Sequence, residues 1–157
     1  MGLLRGYSKK SGRNSQGIIT LRGRGGGNKR RYRFIDFKVL FLEIPAKVIQ
    51  IERDPCRTAF IALILYSNGF FSYMLAPVGL LEGMFLLSGP NVPYNLGNSM
   101  PIGKVPIGYS IFNIELSFKG GQFCRAAGTT AKVFKQNIKG FTIIKLRSGC
   151  FYPRSEE

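Results

Sequence analysis

The chain contains no histidine, and only eight acidic residues stand against 23 lysines and arginines. Without histidine there is no imidazole base and no Ser–His or Cys–His pair. Any zinc set also loses its nitrogen ligands, and Cys56, Cys124 and Cys150 are widely spaced with no Cys-x-x-Cys among them. Three scattered cysteines suit no disulfide framework and match reduced thiols in an intracellular protein. Catalytic residues, metal, cofactor and small-molecule substrate are therefore not expected. The scarcity of acids points elsewhere. A net charge of +15 and a pI near 10.2 raise the energy of a compact state unless a polyanion neutralises it, so nucleic acid or an anionic membrane is the expected partner.

Long helical periodicity is also missing, as is a secretory leader. MGLLRGYSKKSGRN has too short an apolar run for a signal peptide. It is basic, serine-containing and acid-free, as short transit peptides are, and it fits a myristoylation pattern only loosely because its sixth residue is Gly6. From Thr58 to Leu81 no residue is charged, which is length enough to cross a bilayer as a helix. That span, however, holds Ser67-Asn68-Gly69, a reverse-turn sequence, between two strand-length runs, AFIALILY and FFSYML. A spanning helix would bury this polar turn in hydrocarbon. A β-hairpin is expected, with no membrane insertion.

Other strand-like runs surround the hairpin: 31–37, 45–53, 83–89, 109–118, 131–136 and 141–149. In PAKVIQIER, alternation places Ala46, Val48 and Gln50 on one face and Lys47, Ile49 and Ile51 on the other. Short strands with turn signals every ten or so residues indicate an all-β barrel or sandwich. Between Gly89 and Gly108 proline, glycine and asparagine dominate, which marks a connection between two β units. The second unit is expected to be unfinished, because SGCFYPRSEE follows closely on a turn at Ser148-Gly149. That would expose the edge beside 141–149.

The charge is concentrated at one end. Residues 1–38 hold eleven lysines and arginines and one acid, Asp36. Within them, RGRGGGNKRRYRF (22–34) surrounds glycines with six bases and ends in aromatics. It fails as a dinucleotide fingerprint, since Asn28 stands where the third glycine belongs, and no Walker lysine–serine pair follows. An ordinary solvated surface would intersperse acids, and there are none before Asp36. Glycines allow close backbone approach to phosphate, arginines fork onto it, and Tyr32, Phe34 and Phe37 offer stacking faces. With no recognition helix or zinc finger for a DNA groove, RNA is favoured. Such an arm buries too little apolar surface to order itself, so it is expected to be disordered alone and ordered on RNA.

Several long stretches carry a resemblance. GRNSQGIITLRGRGGGNKRRYRFIDF, IPAKVIQIERDPCRTAFIALILY and MLAPVGL, followed by SGPNVPYNLGNSMPIGKVPIG, NIEL, KGGQFCRAAGTTAKV and LRSG, resemble, in order, the universal L-two family of large-subunit ribosomal proteins. The resemblance runs from about Ser11 to Gly149. It implies a basic extension (1–28), an OB-fold barrel (29–90) and an SH3-like barrel (91–157), together binding large-subunit ribosomal RNA near the peptidyl-transferase region and subunit interface. The matching positions imply RNA contacts from Arg13, Asn14, Gly25, Gly26, Gly27, Lys29, Tyr32 and Arg33, from Arg57, and from Gly120, Gly121, Gln122 and Arg125. The basic segment itself adds Arg22, Arg24, Asn28, Arg30, Arg31 and Lys38.

Asn28 and Phe112 stand where that family commonly carries histidine. The family's Gly-, His- and Arg-rich tail has no counterpart here, so a separate polypeptide is expected to supply it, adding a strand to the unfinished barrel near Phe151 and Tyr152. Neighbouring ribosomal proteins are the other implied partners. The phenylalanine-rich, histidine-free composition suggests a mitochondrial ribosome, with a chloroplast or bacterial-type one as the alternative. A free-standing RNA-binding protein or RNA chaperone, or a membrane-surface protein using its basic arm, would be the competing functions.

Overall fold

Turn chemistry decides the centre of the chain. In the computed structural model, which describes residues 2–116, 120–138 and 140–155, Phe60–Tyr66 and Phe71–Leu75 form the expected hairpin. Gly69 takes φ +84°, its N–H bonds to Tyr66 O at 2.9 Å, and Asn68 Oδ1 accepts from Phe70 N–H at 3.2 Å. Among the described residues no helix is long and apolar enough to cross a membrane. The uncharged run has another cause. The strand Phe60–Tyr66 is covered on both faces, with Ala62, Ile64 and Tyr66 in one core cluster and Ile61 in a second. A strand buried on both sides cannot alternate with polar residues.

Among the described residues there are twelve strands, in chain order: β1 Leu4–Tyr7, β2 Arg30–Arg33, β3 Ala46–Arg53, β4 Phe60–Tyr66, β5 Phe71–Leu75, β6 Phe85–Leu86, β7 Ser110–Ile111, β8 Ile114–Glu115, β9 Gly121–Phe123, β10 Ala131–Ile138, β11 Phe141–Leu146 and β12 Phe151–Ser155. All pairings between them are antiparallel. The sheets run β1-β2, β5-β4-β3-β6, β8-β9 and β12-β11-β10-β7. The class is all-β, an OB-fold barrel followed by an SH3-like one.

Four sequence expectations are corrected. The run 31–37 is not one strand: β2 ends at Arg33, and Ile35 makes only an isolated parallel bridge to Tyr73. Asp36 then bends the chain by accepting the N–H groups of Lys38, Val39 and Leu40 at 2.9–3.0 Å. In β3 the alternation breaks at a bulge between Val48 and Gln50. The extra residue turns Gln50 outward with Ile49 and brings Ile51 back against the core.

The run 109–118 splits into β7 and β8 at Asn113, which is held at φ +52°; its last two residues lie outside the described ones. The fourth correction concerns the edge beside 141–149, which is not open. β12 of the same chain fills it, in register from Phe141↔Ser155 to Lys145↔Phe151. Leu146 N–H bonds to Cys150 O, so by the alternation of the ladder Ile143↔Pro153 is a non-bonded pair and the Pro153 nitrogen faces away from β11. Proline there removes an outward donor from the outer edge, which disfavours a further strand.

The two barrels meet around Phe37. Its carbonyl accepts Gly121 N–H at 2.7 Å, and the Arg125 guanidinium lies 3.7 Å from its ring centroid. Phe112 packs with Ile61, Tyr73 and Leu75 of the first barrel, an apolar role that a histidine would fill less well. The glycines at the joint are sterically required. A Cβ on Gly120, already at φ +91°, would stand 2.8 Å from Phe37 O, and one on Gly121 would stand 2.1 Å from Asn113 Oδ1.

Candidate nucleic-acid interface

The basic segment is a closed loop. β1 pairs with β2 in the register Leu4↔Arg33, Arg5↔Tyr32, Gly6↔Arg31 and Tyr7↔Arg30, and Leu3 packs under the first barrel beside Ile35 and Phe37. Residues 8–29 are therefore tied at both ends. They also fold on themselves to a degree that glycine and arginine content did not suggest. Asn14 Oδ1 accepts the N–H groups of Gln16 and Ile18, each at 3.0 Å, and Arg13 bridges to Ile19. Gly12 O receives the N–H groups of Thr20 and Leu21. Asn14 thus shapes the tip that presents Arg13 to solvent.

Where loop and ladder meet there is an open groove of about 710 Å³, lined by Tyr7, Lys9, Gly26, Gly27, Lys29 and Arg31 among others. The missing side chain at Gly27 lets the Lys9 ammonium lie against its backbone; a Cβ there would be 3.1 Å from Nζ. Asn28 and Arg30 line it too. Arg22, Arg24 and Gly25 are exposed beside it, and Lys38, also exposed, lies instead at the joint between the barrels, against Gly120. Among the described residues no acid pairs with any of these cations. The groove is a concave wall of uncompensated positive charge, and an anionic chain can enter it without breaking a protein contact.

Other expected contact residues are engaged internally. Arg33 donates to Glu52 Oε2 from Nε at 3.0 Å and from Nη2 at 2.9 Å, while Tyr73 Oη donates to Glu52 Oε1 at 3.1 Å. Burial opposes the Arg33 charge, but the bond and charge of Glu52 more than offset it and hold its pKa above the usual value. The Tyr73 hydroxyl is pushed up by burial first and by Glu52 second. Arg57 is held at 2.6 Å by Asp54, whose side chain is fully buried, and its guanidinium stands 6.0 Å above the Tyr32 ring. Asp54 also accepts Cys56 N–H at 2.9 Å. This turn positions Arg57 as a rigid flank to the half-buried Tyr32, which meets Phe34 edge-on at 5.5 Å.

The structure thus separates the expected residues into groups. Arg13, Arg22, Arg24, the three glycines, Asn28, Lys29, Arg30 and Arg31 share the loop and its groove. Tyr32, Arg33 and Arg57 form a braced platform beside it. Gly120, Gly121 and Arg125 sit at the joint between barrels, with Gln122 exposed next to them. Lys9 and Tyr7 were missed as groove residues, since only the β1–β2 ladder brings them opposite 26–31. Glu52 and Asp54 were missed as braces, although their place in IERDPCR, two acids among arginines, was a usable signal. No metal-binding cluster occurs among the described residues.

Comparison with known proteins bears on the family of the whole chain. Residues 1–88 match the family model described as Ribosomal Proteins L2, RNA binding N-terminal domain, and residues 95–153 match Ribosomal Proteins L2, C-terminal domain. The chain is 48% identical over 148 residues to the large ribosomal subunit protein uL2 of Bartonella henselae, and 49% identical over the same length to that of Bartonella quintana. Each alignment covers 94% of this chain and 53% of the relative. The chain therefore spans about half the length of the curated relatives it matches.

Proposed function

The chain belongs to the ribosomal protein L2 family, and from that premise we propose that it is a non-enzymatic constituent of the large ribosomal subunit that anchors ribosomal RNA near the peptidyl-transferase region and subunit interface. The observation that carries this reading is the acid-free groove of the 8–29 loop, whose cations have no partner among the described residues. Polyanion binding removes their mutual repulsion and releases counterions from the RNA. In this reading the basic extension (1–28) and the OB-fold barrel (29–90) hold the RNA, and the SH3-like barrel (91–157) adds contacts through Gly120–Gln122 and Arg125. Neighbouring ribosomal proteins cover the remaining surface.

The setting we infer is a mitochondrial large subunit, supported by the absence of histidine and the 13 phenylalanines. The Bartonella relatives are bacterial, and a bacterial-type ribosome is the alternative setting. Sedimentation tests both parts. The protein should co-migrate with large subunits in moderate salt and leave them in high salt, and organelle fractionation should place those subunits in mitochondria. Migration at the top of the gradient in moderate salt would favour a free-standing RNA-binding protein instead.

A further inference from the structure

The outer face of the second barrel's main sheet carries charge and aromatic rings that the loop groove leaves unused. Lys132 and Lys145 are direct cross-strand partners, and Phe151 is next in the same row. Like charges facing each other on a ladder destabilise it, and no acid among the described residues of β7, β10, β11 and β12 offsets them. One step along, a register shift between Val133 and Lys135 inserts an extra residue opposite β11. The bulge re-aims the chain so that both Phe134 and Lys135 are exposed, where strict alternation would have buried one of them.

The rings and ammonium groups then interleave. Phe134 is 45% and Phe151 51% exposed, with centroids 5.0 Å apart. Lys135 Nζ stands 5.8 Å from the Phe134 centroid, and Lys145 Nζ 5.5 Å from that of Phe151. Phe141, 46% exposed, and the half-buried Ile143 continue the apolar surface beside them.

We propose that Lys132, Phe134, Lys135, Lys145 and Phe151 form a second RNA site, specific for an unpaired strand. Its phosphates meet the three ammonium groups while a base stacks on the Phe134–Phe151 pair. This rests on the reading that the polyanion is RNA. A regular duplex presents phosphates but keeps its base faces stacked, so it could use the lysines and not the rings. An acidic peptide would likewise answer the charge and leave two phenylalanines in water. Stacking on exposed aromatic side chains is available to every base, so the site selects for unpairedness and not for sequence.

Fluorescence anisotropy with the full-length chain tests this, using a single-stranded oligouridylate and a mixed-sequence RNA duplex as probes. Phe134→Ser with Phe151→Ser should weaken the single strand about tenfold or more and change the duplex less than about twofold. Lys132→Ala with Lys145→Ala should weaken both probes and flatten the single-strand salt slope by roughly 1.4 units. Unaltered melting of each variant excludes misfolding as the cause. Single-strand affinity unchanged by the serine pair would overturn the proposal. So would equal losses on both probes, or displacement by polyglutamate that depends on the lysines alone. Triple alanine substitution of Lys29, Arg30 and Arg31 separates the two readings. If it leaves RNA binding intact while the serine pair does not, the groove reading fails and this site stands.

Discussion

Arg33 and Arg57 carry the same side chain as Arg22, Arg24, Arg30 and Arg31, but the two groups occupy opposite electrostatic settings. The first pair is braced by Glu52 and by the fully buried Asp54. The second group lies in the 8–29 loop and at the start of β2, in a segment with no acid between Met1 and Ile35. A buried carboxylate makes an arginine part of the folded structure, and its absence leaves an arginine available to a ligand. Residue type alone does not separate an arginine that braces the fold from one left open to a polyanion; the nearest acid does.

The sharpest way to break that comparison is Arg57→Met. It strands the Asp54 carboxylate in the barrel, so urea denaturation of the free protein should show a loss of about 3–5 kcal/mol. A midpoint within experimental scatter of the parent would remove the distinction. Lys29→Ala, Arg30→Ala and Arg31→Ala together should do the converse. The denaturation midpoint should hold, while affinity for ribosomal RNA at 0.1 M salt drops by about two decades and the log K against log salt slope flattens by about two to three units. A shifted midpoint with an unshifted slope would move these cations into the structural group.

Smaller effects test the joint and the core that hold the two groups in place. Gly120→Ala forces a Cβ toward Phe37 O at a left-handed backbone position, and thermal melting should register about 1–3 kcal/mol of destabilisation. The smallest effect is a pH slope. Tyr66 is pushed up to about 12 by burial first and by the charge of Asp36 second. The folded state therefore keeps this proton where the unfolded chain has released it. Its contribution is complete below pH 10 and falls as pH rises towards 12, by about 1.4 kcal/mol per unit at most. Tyr66→Phe should lose stability less steeply than the parent between pH 10 and 11 in paired urea titrations. Parallel curves would deny the shift.

Local chemistry made part of this legible in advance. The hairpin at Phe60–Leu75 was readable because Ser67-Asn68-Gly69 sets its own turn, and the proline- and glycine-rich link at 89–108 was readable for the same reason. What could not be read depends on residues distant in the chain. Asn113 takes φ +52° in a segment patterned as one strand because β9 folds back on it, with Gly121 against its side chain. The bulges in β3 and β10 change which side chains face out without any glycine or proline to announce them. Nor does spacing reveal that Glu52 lies beside Arg33, since the contact joins residues 19 apart on two strands, β2 and β3, that belong to different sheets. The aromatic and basic content of β10 to β12 was visible in the sequence, but its arrangement on one face required the register.

The β1–β2 ladder has a consequence for the order of assembly. A free tail can be threaded into an RNA fold after that fold has closed. A segment fastened at both its start and its finish cannot be threaded; it must be laid against RNA that is still open, or the ladder at its base must first come apart. The four-residue ladder Leu4–Tyr7 with Arg30–Arg33 therefore acts as a clasp. Closed, and given the RNA-anchoring role proposed above, it would require the protein to arrive before RNA helices close around the loop, and would then leave it no route out by simple sliding.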